Sequence, residues 1–132
     1  MEDKKLLSEK EIIIAKELLK VFKEQEQNKM VTITYYELLE RIEGNNYLLD
    51  KPFYIKELGK HLGNISKFCH DVLNLPYISG IVVSEHDRKP KEGFNLMLEG
   101  YGIKDKEKIK EEYKKAQRHK DWSKLENYLS AY

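Results

Sequence analysis

The chain is 132 residues long, enough for one domain with an apolar core and too short for two. Charged side chains make up 36% of it and apolar ones 40%, a balance that folds rather than stays disordered. The formal net charge of +1 excludes a strongly basic nucleic-acid coat protein and a heavily acidic DNA mimic, since both depend on a large field of one sign.

Only local patches of charge can therefore matter. Cys69 is the single cysteine, so no internal disulfide can form, and a lone thiol fits a reducing cytoplasm. The start, Met1-Glu2-Asp3-Lys4-Lys5, lacks the apolar stretch and small-residue cleavage site of a signal peptide, and no run is long and apolar enough to span a membrane. A cytoplasmic location is the expectation. Heavy use of Lys, Ile, Glu, Asn and Tyr with few Ala points to an AT-rich coding genome, such as a low-GC bacterium or its phage.

Ser8-Glu9-Lys10-Glu11 has the Ser-x-x-Glu form of a capping box, in which hydroxyl and carboxylate each satisfy a backbone N–H at a helix start. Ile12, Ala15, Leu18, Leu19 and Phe22 follow at helical spacing, predicting a helix to about Gln27 with one buried face. Met30 to Ile33 is a short β-prone run, and Thr34-Tyr35-Tyr36-Glu37 is a second capping box leading into Leu38, Leu39 and Ile42. This reads as strand, tight turn, short helix. Gly44-Asn45-Asn46 ends that helix, and a loop runs through Pro52 to a helix starting near Phe53.

Ile55, Leu58, Leu62, Ile65, Cys69 and Val72 then recur in steps of three and four, one continuous stripe on a helical surface. Gly59 and Gly63 interrupt the segment, each costing about 1 kcal/mol relative to Ala in a helix interior, so it is either one helix or two meeting at Gly63-Asn64. Leu75-Pro76 stops it, and the β-branched run from Ile78 to Ser84 predicts a strand. His86 to Lys91 is a basic polar turn. Phe94, Met97, Leu98 and Tyr101, at i, i+3, i+4 and i+7, favour a short helix over a returning strand. Gly100 and Gly102 close it, Asp105 begins a charged helix to about Arg118, and Trp122, Leu125, Tyr128 and Leu129 form a last amphipathic turn or two.

The four histidines, His61, His70, His86 and His119, lack the i, i+4 pairing or Cys-x-x-Cys companions of a zinc site. Ser66 and His70 could share a helix face, the reach a nucleophile and base require, but no third group or oxyanion donor accompanies them, and coincidence on a helix surface is the simpler reading. Cys69 continues the apolar stripe and reads as a small core residue rather than a reactive thiol. No Gly-rich loop sits between a strand and a helix start, so no phosphate cradle is expected. No enzyme activity and no cofactor follow from these residues. One polar constellation is better ordered. Lys56, Lys60, Asn64 and Lys67 fall within about 80° of one another at about 100° per residue, opposite the apolar stripe. A helix buried on one face and carrying Lys and Asn on the other suits the DNA major groove, Lys for phosphate or guanine and Asn for adenine. The plainer alternative is a solvated face, which Glu57 and Asp71 at its edges favour.

With helix, strand, Thr34-Tyr35 turn, short helix, Leu58-Gly59-x-x-Leu62 helix and strand in that order, residues 31 to 94 resemble the DNA-binding domain of alkylguanine-DNA alkyltransferases and the non-enzymatic alkyltransferase-like proteins. Ile33-Thr34-Tyr35-Tyr36-Glu37-Leu38 is similar to the segment that opens the first helix of that family's helix-turn-helix. Lys56-Glu57-Leu58-Gly59 is similar to its Arg-x-Val-Gly motif, with Lys in place of the Arg that enters the duplex. The resemblance implies that Tyr35 supports a rotated target phosphate and that Lys56 takes the finger position. The Pro-Cys-His-Arg motif of alkyl transfer is absent, for Pro76-Tyr77-Ile78-Ser79-Gly80-Ile81-Val82-Val83 holds no cysteine, and the segment from Asn64 to Leu75 is longer than the family's. The pattern of Leu58-Gly59-x-x-Leu62-Gly63, Leu75-Pro76, Val82-Val83, Gly93-Phe94 and Asp121-Trp122-Ser123 is also similar to a group of small bacterial and phage proteins, a likeness that implies architecture and no activity.

The expected fold is α+β and mostly helical, one domain over residues 1–132. It comprises a winged helix-turn-helix-like core at 31–94, with a small winged-helix-like β element, and a C-terminal helical extension at 103–132 that packs back through Trp122, Tyr128 and Leu129. The expected function is non-enzymatic duplex DNA binding. Lys56, Lys60, Asn64 and Lys67 form the reading face, Tyr35 supports a phosphate, and Arg88, Lys89 and Lys91 touch phosphates from a wing-like turn. The alternative is a protein-binding module, for example a phage-encoded inhibitor of a host defence complex, using the same scaffold with its Tyr and Lys side chains at a protein interface. Near-zero net charge and nine tyrosines favour that alternative.

Overall fold

The computed structural model describes residues 6–132; Met1 to Lys5, part of the segment read above for a leader, lie outside them. The described chain is mostly helical, with six α-helices and a two-stranded sheet: α1 (Glu9–Glu24), β1 (Ile33–Thr34), α2 (Tyr35–Glu43), α3 (Lys51–Asp71), β2 (Val82–Val83), α4 (Glu92–Glu99), α5 (Lys106–Arg118) and α6 (Ser123–Leu129). Both capping boxes form. Ser8 accepts from Glu11 N while the Glu11 carboxylate accepts from Ser8 N, and Thr34 and Glu37 repeat the exchange at α2. Gly44, at φ +64°, supplies the left-handed residue that ends α2. A 3-10 turn over Gly44–Leu49 then leads to Asp50, whose carboxylate caps α3 at Phe53 N.

α3 is a single helix through Gly59 and Gly63. Leu58, Leu62, Ile65, Phe68 and Cys69 are buried along it, and packing of that face against α1, α2 and α4 outweighs the glycine cost. The stripe stops one residue earlier than the spacing predicts, for Val72 is 51% exposed. α1 ends at Glu24 rather than near Gln27.

The strands are shorter than the β-branched runs predict. Only Ile33 and Thr34 pair, in parallel, with Val82 and Val83. The backbone ahead of β1 is satisfied by other means: Val31 N donates to the carbonyl of Gln117 and Gln25 Nε2 to that of Thr32, so no ladder is needed there. Ile78–Ile81 forms a 3-10 turn instead of extending β2. The Ser84–Lys91 segment leads from β2 into α4, closed by Ser84 N to Lys89 O and Arg88 N to Ser84 O. It is a turn between strand and helix, not a hairpin between two strands.

The last thirty residues are part of the main core. α5 packs across the Ile78–Ile81 turn, and Gln117 Nε2 donates to Gly80 O at 3.0 Å. Gly80 is required by this contact, since a Cβ there would lie 2.8 Å from Tyr113 Cα. Trp122 lies against Phe22 with ring centroids 4.9 Å apart, and Tyr128 against Phe68 at 4.6 Å. A second apolar cluster joins Phe94, Met97 and Leu98 of α4 to Tyr77 and Tyr113.

Candidate nucleic-acid interface

α3 presents its polar face as the spacing requires: Lys56, Lys60, Asn64 and Lys67 are all exposed. Lys56 and Lys67 take part in no ion pair among the described residues, and Lys60 reaches only its neighbour Glu57, at 3.5 Å. Asn64 differs from the lysines. Its Nδ2 donates to Glu11 Oε2 at 2.8 Å, and His61 Nδ1 donates to the same oxygen at 3.0 Å. Glu11 is 4% exposed. Burial pushes its carboxyl up, but hydrogen bonds from His61, Ser8 and Asn64 outweigh that and hold it below the ordinary value. Asn64 thus ties α3 to α1, and its amide is committed within the protein.

Gly59 and Gly63 lie on this same side of α3. Gly59 is exposed and Gly63 half-buried, and a Cβ at either would meet nothing within 4 Å. The face is therefore a strip of bare backbone bordered by lysine side chains.

The remaining expected residues form a second group. Tyr35 is 6% exposed, its hydroxyl accepts from Lys91 N at 2.9 Å, and burial raises its phenol. It is a core residue that anchors the start of α4, which removes the basis for a phosphate-supporting role. Lys91 Nζ sits 5.4 Å above the Tyr35 ring, a cation–π contact. Arg88, at φ +58°, donates from Nη2 to Thr32 Oγ1 at 3.0 Å. Lys89 has an exposed side chain with no such partner. The structure brings Tyr35, Arg88 and Lys91 together around β1. No hydrogen bond or ion pair among the described residues joins them to the lysines of α3.

Other side chains considered from sequence have structural roles. Ser66 Oγ accepts from Ser79 N at 2.8 Å and shares a hydrogen bond with Ser79 Oγ at 2.5 Å, while His70 Nδ1 donates to Asp71. They do not bond each other, so no nucleophile–base pair forms. Cys69 is fully buried and burial pushes its thiol up to about 12, an inert setting. Among the described residues no group of three or more His, Cys, Asp or Glu could hold a metal ion, and no helix is long and apolar enough to cross a membrane.

Sequence reasoning missed an exposed apolar cluster. Leu48 and Leu49, in the turn before α3, and Phe53, in its first turn, are exposed, Leu49 at 84%. The pair Leu48-Leu49 follows Gly44-Asn45-Asn46-Tyr47 and has no helical partner spacing, which is the available signal. Beside Phe53 a groove of about 320 Å³ runs between α1, α2 and α3, with Ile42, Tyr54 and Leu58 in its wall.

Compared with protein-family models, curated proteins and solved structures, the chain matches none.

Proposed function

We propose that this chain is a non-enzymatic duplex DNA-binding module that docks the exposed face of α3 on the duplex. The observation that carries the reading is the strip itself, Lys56, Lys60 and Lys67 flanking Gly59 and Gly63 over open space. Glycines with no internal packing reason let a partner's backbone come close, and lysines beside them supply phosphate contacts. In this reading α2, the Gly44–Leu49 turn and α3 serve as a helix-turn-helix, and the Ser84–Lys91 turn takes the place of a wing with Lys89 as its free cation. A cytoplasmic setting belongs to the same reading, supported by the lone, buried Cys69.

Anisotropy titration of a labelled duplex tests it. With Lys56, Lys60, Lys67 and Lys89 as the phosphate contacts, log Kd should change with log salt at a slope of about 3 to 4. Lys67→Ala or Lys89→Ala should flatten that slope by about one unit and weaken all sequences alike, while Lys56→Ala, if it reaches base edges, should also change which sequence is preferred. Absence of duplex binding at low salt would remove the reading.

The exposed cluster of Leu48, Leu49 and Phe53 favours a second one, a protein-binding module using the α2–α3 corner. Exposed apolar side chains close in sequence, one of which, Phe53, lines a groove, are what a protein interface buries at its centre. Leu49→Asp would then abolish partner capture and leave duplex affinity unchanged.

A further inference from the structure

Two open grooves lie side by side along α5 and share Lys115 and His119 in their walls. Their volumes, about 570 and 640 Å³, fall within the range of small-molecule clefts. The first is aromatic. His70 stacks on Tyr77 with ring centroids 4.6 Å apart and planes 11° from parallel, and Tyr101 meets both edge-on at 4.9 and 5.3 Å. Tyr101 is held in place by its hydroxyl, which donates to both Asp71 oxygens at 2.9 and 3.0 Å. The His70 side chain keeps 42% of its surface exposed. Glu112 and Asn74 stand in the same wall. In the second groove cations outnumber carboxylates: Lys110, Lys114, Lys115 and Arg118 stand with Glu107 and Glu111. Lys115 pairs with Glu112 at 3.6 Å, while Lys110, Lys114 and Arg118, at i, i+4 and i+8 on α5, have no hydrogen bond or ion pair among the described residues.

We propose that this double groove binds a nucleoside phosphate, the base stacked on His70 beside Tyr101 and the phosphate held by Lys114, Lys115 and Arg118. Each half suits one part of that ligand. An imidazole already backed by Tyr77 and steadied by Asp71 is a rigid platform for a planar heterocycle, since aromatic stacking tolerates any base. Glu112 and Asn74 offer acceptors to the exocyclic amine that adenine, guanine and cytosine carry. Glu112 also repels phosphate, which orients the charged end toward Arg118. A free nucleotide and the 5′-terminal nucleotide of a single strand share this chemistry.

The site uses the C-terminal end of α3, His70 and Asp71, but none of the lysines on its exposed face, so its test stands apart from the duplex titration. Trp122 is the only tryptophan, and His119 touches it, ring centroids 4.8 Å apart, while its carbonyl accepts the indole N–H at 3.1 Å. Ligand at His119 should change Trp122 fluorescence. AMP, adenosine and inorganic phosphate are titrated into the full chain, with heat of binding measured in parallel. AMP is expected to bind at least about tenfold more tightly than either fragment, because stacking and ion pairing add. His70→Ala should reduce AMP affinity about tenfold, and so should Lys114→Ser with Arg118→Ser, whose positions outside the core, one half-buried and one exposed, keep the fold should the His70 variant fail. Lys56→Ala should leave it unchanged. A 5′-phosphorylated oligothymidylate binding tighter than TMP assigns the site to strand ends; equal affinity assigns it to free nucleotides. AMP binding no tighter than phosphate, or unaltered in both variants, overturns the proposal.

Discussion

Gly80 and the pair Gly59 and Gly63 are the same residue type in opposite surroundings. A Cβ on Gly80 would press into the backbone of α5, 2.8 Å from Tyr113 Cα and 3.3 Å from the Ala116 methyl, whereas one on Gly59 or Gly63 would meet open space. Around Gly80 the polar groups bond internally: Gln117 bonds its carbonyl, and Ser66 and Ser79 bond one another. Around Gly59 and Gly63 the lysines point to solvent. At the first place packing dictates the residue. At the second packing would prefer Ala, and the fold gives no reason for glycine, so a reason is sought outside the chain.

The largest effect should come from closing the tight place. Gly80→Ala forces α5 away from the Ile78–Ile81 turn, and overpacking against backbone should cost about 3 kcal/mol. Thermal unfolding should show a midpoint lower by roughly 10 °C for a chain of this size; a midpoint within a degree or two of the parent would mean that α5 is not seated as described. Ser66→Ala comes next. It leaves the buried N–H of Ser79 without an acceptor, which costs about 1–3 kcal/mol. Denaturant titration should show the loss in the midpoint with the slope unchanged.

This contrast also marks what the sequence could reveal. Helix starts were legible where Ser8, Thr34 and Asp105 carry their signal locally, whereas α3 starts at Lys51 on an Asp50 cap, with Pro52 inside its first turn, two residues before the expected Phe53. The exposed Lys56, Lys60 and Lys67 were legible from spacing alone. The strand lengths were not, because Val31 and Thr32 find their hydrogen bonds at Gln117 and Gln25, partners that spacing does not name. The partners of Tyr35 and Asn64 were hidden for the same reason: their hydroxyl and amide meet Lys91 and Glu11 only once the chain is folded. The groove of His70, Tyr77 and Tyr101 gathers residues from three segments, which no single window contains.

A smaller effect should separate the α1–α3 tie from the free lysines beside it. The Glu11 carboxyl has its folded value held below the ordinary 4.5, so its contribution is fully present above that value and is lost as pH falls through the lower folded one. Glu11→Gln should therefore cost about 1–2 kcal/mol near neutrality. The gap to the parent should close as both are titrated to about pH 3. Parallel stability curves across that range would show that the carboxylate gains nothing from His61 and Asn64.

The smallest change in stability is the most informative about function. Gly59→Ala and Gly63→Ala each replace the poorest ordinary helix former by the best, with no contact to disturb, and each should raise stability by about 0.5–1 kcal/mol. If the strip on α3 is where a duplex docks, the added methyl groups stand between the helix backbone and the phosphates, and the double variant should bind DNA at least about tenfold more weakly while melting at a higher temperature. Lys56, Lys60 and Lys67 are unaltered in it, so the salt slope should stay near the parent's even as affinity falls, which distinguishes lost approach from lost charge. Gain of stability with unchanged duplex affinity would place the DNA contact elsewhere than on Gly59 and Gly63. Loss of stability would instead mean that something within the fold already needs the space those glycines leave open.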